Sequence, residues 1–234
     1  MQTEVLKYGH FYHIYYRGVD SCDLFFEPDN YKHFLGLYDK HISPVADTYV
    51  WVLMPNHFHL LVRVKEEKEI GYIPIKPLSG YKTAERVDGV ERIRDERGNI
   101  PSAVFHPDGG FMPKKYNPVI QFSHLLNAYA QAFNKRFERT GSLFQHPYKR
   151  KPIDNARYFK IMVLYIHNNP VHHGFCSHPV EYPWSSYLTC ISVKPTKLQR
   201  DPVIGWFNNL AEFKLLHNEK MNIEKIDKWL GLGE

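Results

Sequence analysis

A chain of 234 residues with 43% hydrophobic side chains is long enough to bury a core as one large domain, or as one domain with a tail. It has no apolar run of the roughly 18 residues a membrane span needs, and its start, MQTEVLKYGHFYHIYYRG, lacks the basic-then-apolar order of a secretion signal, so a soluble, cytoplasmic protein is expected. Three cysteines, Cys22, Cys176 and Cys190, are odd in number and widely spaced, which suits neither a disulfide framework nor a thiolate metal cluster.

The net charge of +5 is moderate, but its placement is uneven. Between Asn134 and Lys151 stand Lys135, Arg136, Arg139, Lys149, Arg150 and Lys151 against Glu138 alone, a surplus equal to that of the whole chain. Such a cluster suits a polyanion and would equally serve as a solvated face. The aromatics among these cations, Phe133, Phe137, Phe144 and Tyr148, are mostly at core-like spacing.

Along the chain, the aromatic and β-branched stretch Gly9 to Arg17 reads as a strand ended by Gly18, and Leu24 to Phe26 as a second, short one. Pro28 and Asp29 open a helix with Phe34, Leu37, Tyr38 and Ile42 at helical spacing. TYVWVLM and HFHLLVRV follow as strands around the turn residues Pro55 and Asn56. From Lys65 to Pro118 the chain is rich in both charges, proline and glycine without a clear period, which marks a long functional or mobile insertion and not a core element. A helix from about Val119 carries Leu125, Leu126, Tyr129, Phe133 and Phe137 as its apolar stripe and ends through Gly141. KRKPI reads as a strand, Asp154 as the N-cap of the helix NARYFKIMVLYIHN, and Pro170 as its end. Residues 191–234 form a tail with two short amphipathic patterns, VIGWFNNLAEFKLL and IEKIDKWLGLG. Strands interleaved with helices but joined by a hairpin predict an α+β fold, an antiparallel sheet with helices on one face, its other face remaining available.

Alternation along MPNHFHLLV puts His57, His59, Leu61 and Arg63 on one face of a strand, and Phe58, Leu60, Val62 and Val64 on the other. Two imidazoles at i and i+2 can offer a divalent ion two ligands, although a lone pair of this kind is more often structural. In the later helix, with Phe159, Met162, Val163 and Ile166 as the buried stripe, Tyr165 and Asn169 fall together on its shoulder. A tyrosine there ordinarily packs, and an asparagine before proline ordinarily ends a helix. The chemical alternative is a phenol nucleophile and an amide oxygen as third metal ligand. A phenol with a pKa near 10 attacks poorly unless a metal polarises its electrophile.

MPNHFHLLV, followed by LYIHNNPVHHG and YPWSSY, with YHIYYRGV before and NKRFERTGSLFQ between them, resembles the single-tyrosine HUH transposases, closest to the REP-associated tyrosine transposases, over roughly Tyr8 to Tyr187. The resemblance implies a ferredoxin-like sheet, a HUH motif made by His57, Phe58 and His59, Tyr165 as nucleophile, Asn169 completing the metal site, and Mg²⁺ or Mn²⁺ as cofactor. It implies nicking and strand transfer of single-stranded DNA, often hairpins or repeat ends, through a 5′-phosphotyrosine, by a monomer or homodimer. Arg63, Lys135, Arg136, Arg139, Lys149, Arg150 and Lys151 would contact the nucleic acid. The alternative is a non-catalytic or domesticated nucleic-acid-binding module of the same fold. Where the family often has Gly-Arg-Phe-Lys, this chain has HPYKRK, and the insertion at 65–118 is longer than the family leads one to expect. The tail carries no family motif; in some relatives such a tail governs access to the active site.

Overall fold

In the computed structural model, residues 5–73, 85–87, 90–92, 114–219 and 221–231 are described. The chain begins with β1 (Phe11–Arg17), α1 (Pro28–Ile42), β2 (Ala46–Met54) and β3 (His57–Val64). Two short strands, β4 (Glu85–Val87) and β5 (Val90–Arg92), pair with each other. Then come α2 (Pro118–Arg136), β6 (Lys149–Ile153), α3 (Ala156–His172), α4 (Tyr187–Ile191), α5 (Arg200–Gly205), α6 (Leu210–His217) and α7 (Ile223–Leu230).

The main sheet is antiparallel, in the order β2-β3-β1-β6. With α1 between β1 and β2, and α2 between β3 and β6, this is the βαββαβ arrangement of a ferredoxin-like layer. The α+β expectation holds.

Period-two alternation divides the sheet's side chains between two cores. Tyr12, Ile14 and Tyr16 of β1, with Phe58, Leu60 and Val62 of β3, pack against Phe34 and Ile42 of α1 and Phe122, Leu125 and Tyr129 of α2. Leu61, Val50, Val52 and Ile153 point the other way. They share a second core with Met162, Val163 and Ile166 of α3 and with Val203, Phe207, Phe213 and Leu230 of the tail helices. The expected helices α1 and α2 lie on one face; α3 and the tail cover the face that the layer argument left available.

Local chemistry sets the helix ends. Glu27 and Asn30 form a reciprocal capping box at α1, with Pro28 in the first turn. The Asn117 side chain accepts from Ile120 N–H at the start of α2. At α3 the N-cap is Asn155, which accepts from Arg157 N–H, and not the expected Asp154. Nor does Pro170 end α3: the helix runs to His172. Pro170 has no N–H to give the Ile166 carbonyl, and the helix continues for only two residues past it. Gly174, at φ +74°, turns the chain out, while Phe175 N–H bonds the Pro170 carbonyl.

The short strand expected at Leu24 to Phe26 is absent. The N–H groups of Leu24 and Phe25, both buried, donate to the Pro55 carbonyl in the β2–β3 turn, so these two residues are pinned to the hairpin and not laddered. Most of the insertion at 65–118 lies outside the described residues. Its neck pairs, with Ile73 N–H on the Lys114 carbonyl and Tyr116 N–H on the Gly71 carbonyl.

Candidate active site

Strand register assembles the site. Antiparallel pairing sets Arg17 opposite His57, Tyr15 opposite His59 and His13 opposite Leu61, and on the far side of β1 it sets Lys149 opposite Tyr15 and Lys151 opposite His13. Side chains directly opposite share a face. One face therefore carries His13, Tyr15, Arg17, His57, His59, Lys149 and Lys151, and α3 crosses it with Tyr165 and Asn169 turned inward.

Four residues singled out in the sequence meet there. The Nε2 of His57 lies 3.0 Å from Asn169 Oδ1. The rings of His57 and His59 are perpendicular at 5.1 Å, and the Tyr165 ring stands edge-on to His59 at 5.2 Å. His57, His59, Tyr165 and Asn169 are all buried.

The protonation of His57 tests whether this cluster fits a metal. Its Nδ1 is 2.6 Å from Asn56 Oδ1, an oxygen that only accepts, so Nδ1 carries the proton and donates it there. Nε2 then presents a lone pair to the lone pairs of Asn169 Oδ1. Two acceptors 3.0 Å apart repel unless a proton or a cation joins them. Burial removes the proton, lowering the His57 pKa to about 3, against a smaller opposing effect of the Asn169 contact. His59 is likewise held neutral, well below the usual histidine range, by burial and then by the neighbouring His57 and His13. Neutral imidazole nitrogen with an amide oxygen is a donor set that fits a divalent ion. Among the described residues no group of three or more His, Cys, Asp or Glu side chains is arranged for a metal, and a third ligand beside His57 and His59 would have to be the Asn169 amide oxygen.

The phenol of Tyr165 is already engaged. It donates to Asp227 Oδ1 of α7 at 2.7 Å and is 1% exposed. Burial first, then the Asp227 carboxylate, push its pKa far above the usual phenol range, while the nearby Asn169 amide acts the other way. α7 is strapped over this place. Trp229 stacks on Tyr158 with centroids 4.5 Å apart, and the Lys151 ammonium sits 3.8 Å from the Trp229 ring centre and bonds that residue's carbonyl. Lys149 donates to the Gly231 carbonyl at 2.7 Å.

The other cations expected to meet nucleic acid are dispersed. Arg63 lies beyond Leu61 on the same face, held by Asp47 at 2.7 Å and Glu69 at 3.1 Å. Arg136 pairs with Glu27, and Arg139 bonds Asn134 and lies over Phe133, at the end of α2 on the opposite side of the sheet together with Lys135. Arg150, opposite Ile14, faces that side too and covers the Tyr148 ring. Only Lys149 and Lys151 of that group border the histidines.

Several neighbours of the cluster escape sequence reasoning. His13, Tyr15 and Arg17 share a strand face by parity, which is legible, but nothing in the sequence says that β1 pairs with β3. Arg17 forms no ion pair among the described residues, and its Nε is buried without a partner. Asn56 reads as a turn residue, and Asp227 as one charge on an amphipathic helix. His173 approaches His57 with ring centroids 5.3 Å apart.

No protein-family model matches this sequence, and no curated protein does. Among solved structures it is similar to a REP-associated tyrosine transposase bound to a REP hairpin, with a TM-score of 0.52 over 83% of this chain and 88% of that one, at 12% identity. The chain shares that protein's fold. A bacterial tRNA(His) guanylyltransferase-like protein in complex with GTP is matched at a TM-score of 0.34 and 9% identity, over 73% of this chain and 68% of that one, too distant a likeness to bear on the site. Among the described residues no helix is long and apolar enough to cross a membrane.

Proposed function

We propose that the chain is a metal-dependent enzyme that nicks single-stranded DNA and transfers the cut strand, with Tyr165 as nucleophile. The observation that carries this reading is the meeting of Tyr165 and Asn169, one helical turn apart on α3, with His57 and His59 on β3. Tyr165 bonds Asp227 2.7 Å away, and Asn169 faces His57 at 3.0 Å. The shared fold of a transposase that holds a DNA hairpin supports a DNA partner of the same kind, with hairpin or repeat-end structure.

His57, His59 and Asn169 would hold Mg²⁺ or Mn²⁺, which when bound polarises a phosphate and steadies the charge that develops on it. Tyr165 supplies the attacking oxygen. As its bond to phosphorus forms, the phosphorus–O3′ bond breaks. The phenol gives up one proton and the departing O3′ takes one, leaving a 5′-phosphotyrosine and a free 3′-hydroxyl. The new ester keeps the phosphodiester's energy, so a second 3′-hydroxyl can reverse the step without a nucleotide cofactor. Lys149 and Lys151 lie beside the cluster to grip backbone phosphates once they leave the carbonyls of Gly231 and Trp229. With the phenol bonded to Asp227 and buried, a strand reaches Tyr165 only when α7 gives way.

Incubation with single-stranded hairpin oligonucleotides from the chain's own genomic neighbourhood and Mg²⁺ is expected to give a covalent protein–DNA adduct. Tyr165→Phe should lose the adduct and keep binding. An adduct still formed by that variant would move the nucleophile elsewhere, first to Tyr158, which stacks on the same strap.

The engaged phenol favours a second reading, a nucleic-acid-binding module without chemistry. Titration with Mn²⁺ separates the two. Binding that His57→Ala abolishes belongs to the enzyme; no binding, or binding indifferent to that change, belongs to the module.

A further inference from the structure

His13 takes no part in the chemistry above, yet it is buried on the site's face of β1. Its Nε2 is 2.9 Å from the Nδ1 of His59, with the two rings within 14° of parallel. One proton lies between those nitrogens, and it has two homes. If His13 donates, neutral His59 carries its own proton on Nε2 and has no lone pair left for a metal. If His59 donates, its Nε2 is bare.

Among the described residues the surroundings of His59 offer Nδ1–H no other acceptor. Tyr15, Tyr165 and His57 present their rings at centroid distances of 4.8, 5.2 and 5.1 Å, and among the described residues His13 is the sole hydrogen-bond partner of the His59 ring. A ligand histidine ordinarily donates its second N–H to an acceptor that fixes both tautomer and ring orientation. The geometry points to His13 as the residue that positions His59, accepting Nδ1–H on its own Nε2 so that the Nε2 of His59 stays free to ligate. The inference rests on the metal-dependent reading of the site, and it makes β1 a contributor to that site.

The test uses the full chain. His13→Phe fills much of the same space and accepts nothing; His13→Gln restores an acceptor oxygen. Free Mn²⁺ measured by electron paramagnetic resonance should give a dissociation constant about 10- to 100-fold weaker for His13→Phe, with most of the loss recovered in His13→Gln. Imidazole ¹⁵N spectra of the metal-free native protein should show His59 protonated on Nδ1, a preference that His13→Phe removes. Native His59 protonated on Nε2, or a folded His13→Phe variant that binds Mn²⁺ as the native protein does, would overturn the inference. Absence of Mn²⁺ binding by the native protein, or binding untouched in His57→Ala, would instead count against the metal reading. The ¹⁵N tautomer would then still decide the role of His13.

Discussion

At the scale of single residues, this protein uses imidazoles as neutral wiring. His217 donates its Nδ1–H to the Phe213 carbonyl at 2.6 Å, which leaves its Nε2 to accept from His167 Nδ1 at 3.0 Å. His167 Nε2 then accepts from the Ser186 hydroxyl at 2.9 Å, and Ser186 Oγ accepts from Trp51 N–H at 2.9 Å. The Ser186 hydroxyl has a second, longer acceptor in the Trp51 carbonyl at 3.2 Å, and the network joins α6 to α3 to the edge strand β2. Ser186→Ala would leave the fully buried His167 nitrogen and the partly buried Trp51 N–H without that partner. The expected loss is about 1–3 kcal/mol of unfolding free energy, read as a lower urea midpoint with unchanged slope. An unchanged midpoint would show that the network carries no weight. LYIHNNPV made Tyr165 and Asn169 visible as neighbours because their spacing is one helical turn; it said nothing of His167, whose partners lie at Ser186 and His217 and are joined to it only by folding.

At the scale of elements, α7 acts as a cover. It places a carboxylate on the phenol, an aromatic ring on Tyr158, and carbonyls at its C-terminal end on the two lysines nearest the histidines. These are the groups a DNA strand would need. Trp229→Ala removes the stack and the cation–π contact, each worth about 1 kcal/mol, so adduct formation should speed up about 30-fold. An unchanged or slower rate in single-turnover assays would mean that α7 does not stand in the way. The lysines and Arg63 also part company here. Replacing Lys149 or Lys151 with alanine should lower the slope of log affinity against log salt by about 0.7 for each phosphate of a single strand that the lysine neutralises. Arg63→Ala, which removes a cation already held by Asp47 and Glu69, should leave the slope as it is. Sequence charge marks where cations are dense, but ion pairing decides which of them are free, and that is a matter of tertiary neighbours.

At the scale of the whole molecule, two cores share one sheet, and the second contains most of the buried histidine. His217 is lowered to about 4 by burial, and His167 lies well below its usual value for the same first cause, with His217 adding to it. In the unfolded chain both titrate near 6.5. The unfolded state therefore binds more protons below that pH, and stability falls as the pH drops from about 6.5 toward 4, by roughly 3 kcal/mol at pH 4 from His217 alone. Above 6.5 both states are neutral and this contribution is complete. Thermal unfolding should accordingly be flat from pH 7 to 8 and decline steadily below 6.5; a midpoint independent of pH between 7 and 4.5 would contradict the burial argument.

The sequence by itself determined what local periodicity and local chemistry can encode. The strands β1, β2, β3 and β6, the stripes of α1, α2 and α3, and the shared face of His57 and His59 all follow from side-chain spacing within one element. The helix ends were legible only to within a residue or a turn, because capping is a competition between adjacent side chains such as Asp154 and Asn155, and because a proline in a last turn is tolerated. Tertiary structure alone decided which strands pair, and so brought His13 to His59. It also decided that the second face of the sheet is covered, and that Asp227, more than sixty positions beyond Tyr165 in the chain, holds the phenol. Those contacts join segments far apart in sequence, and no pattern within a segment specifies its distant partner.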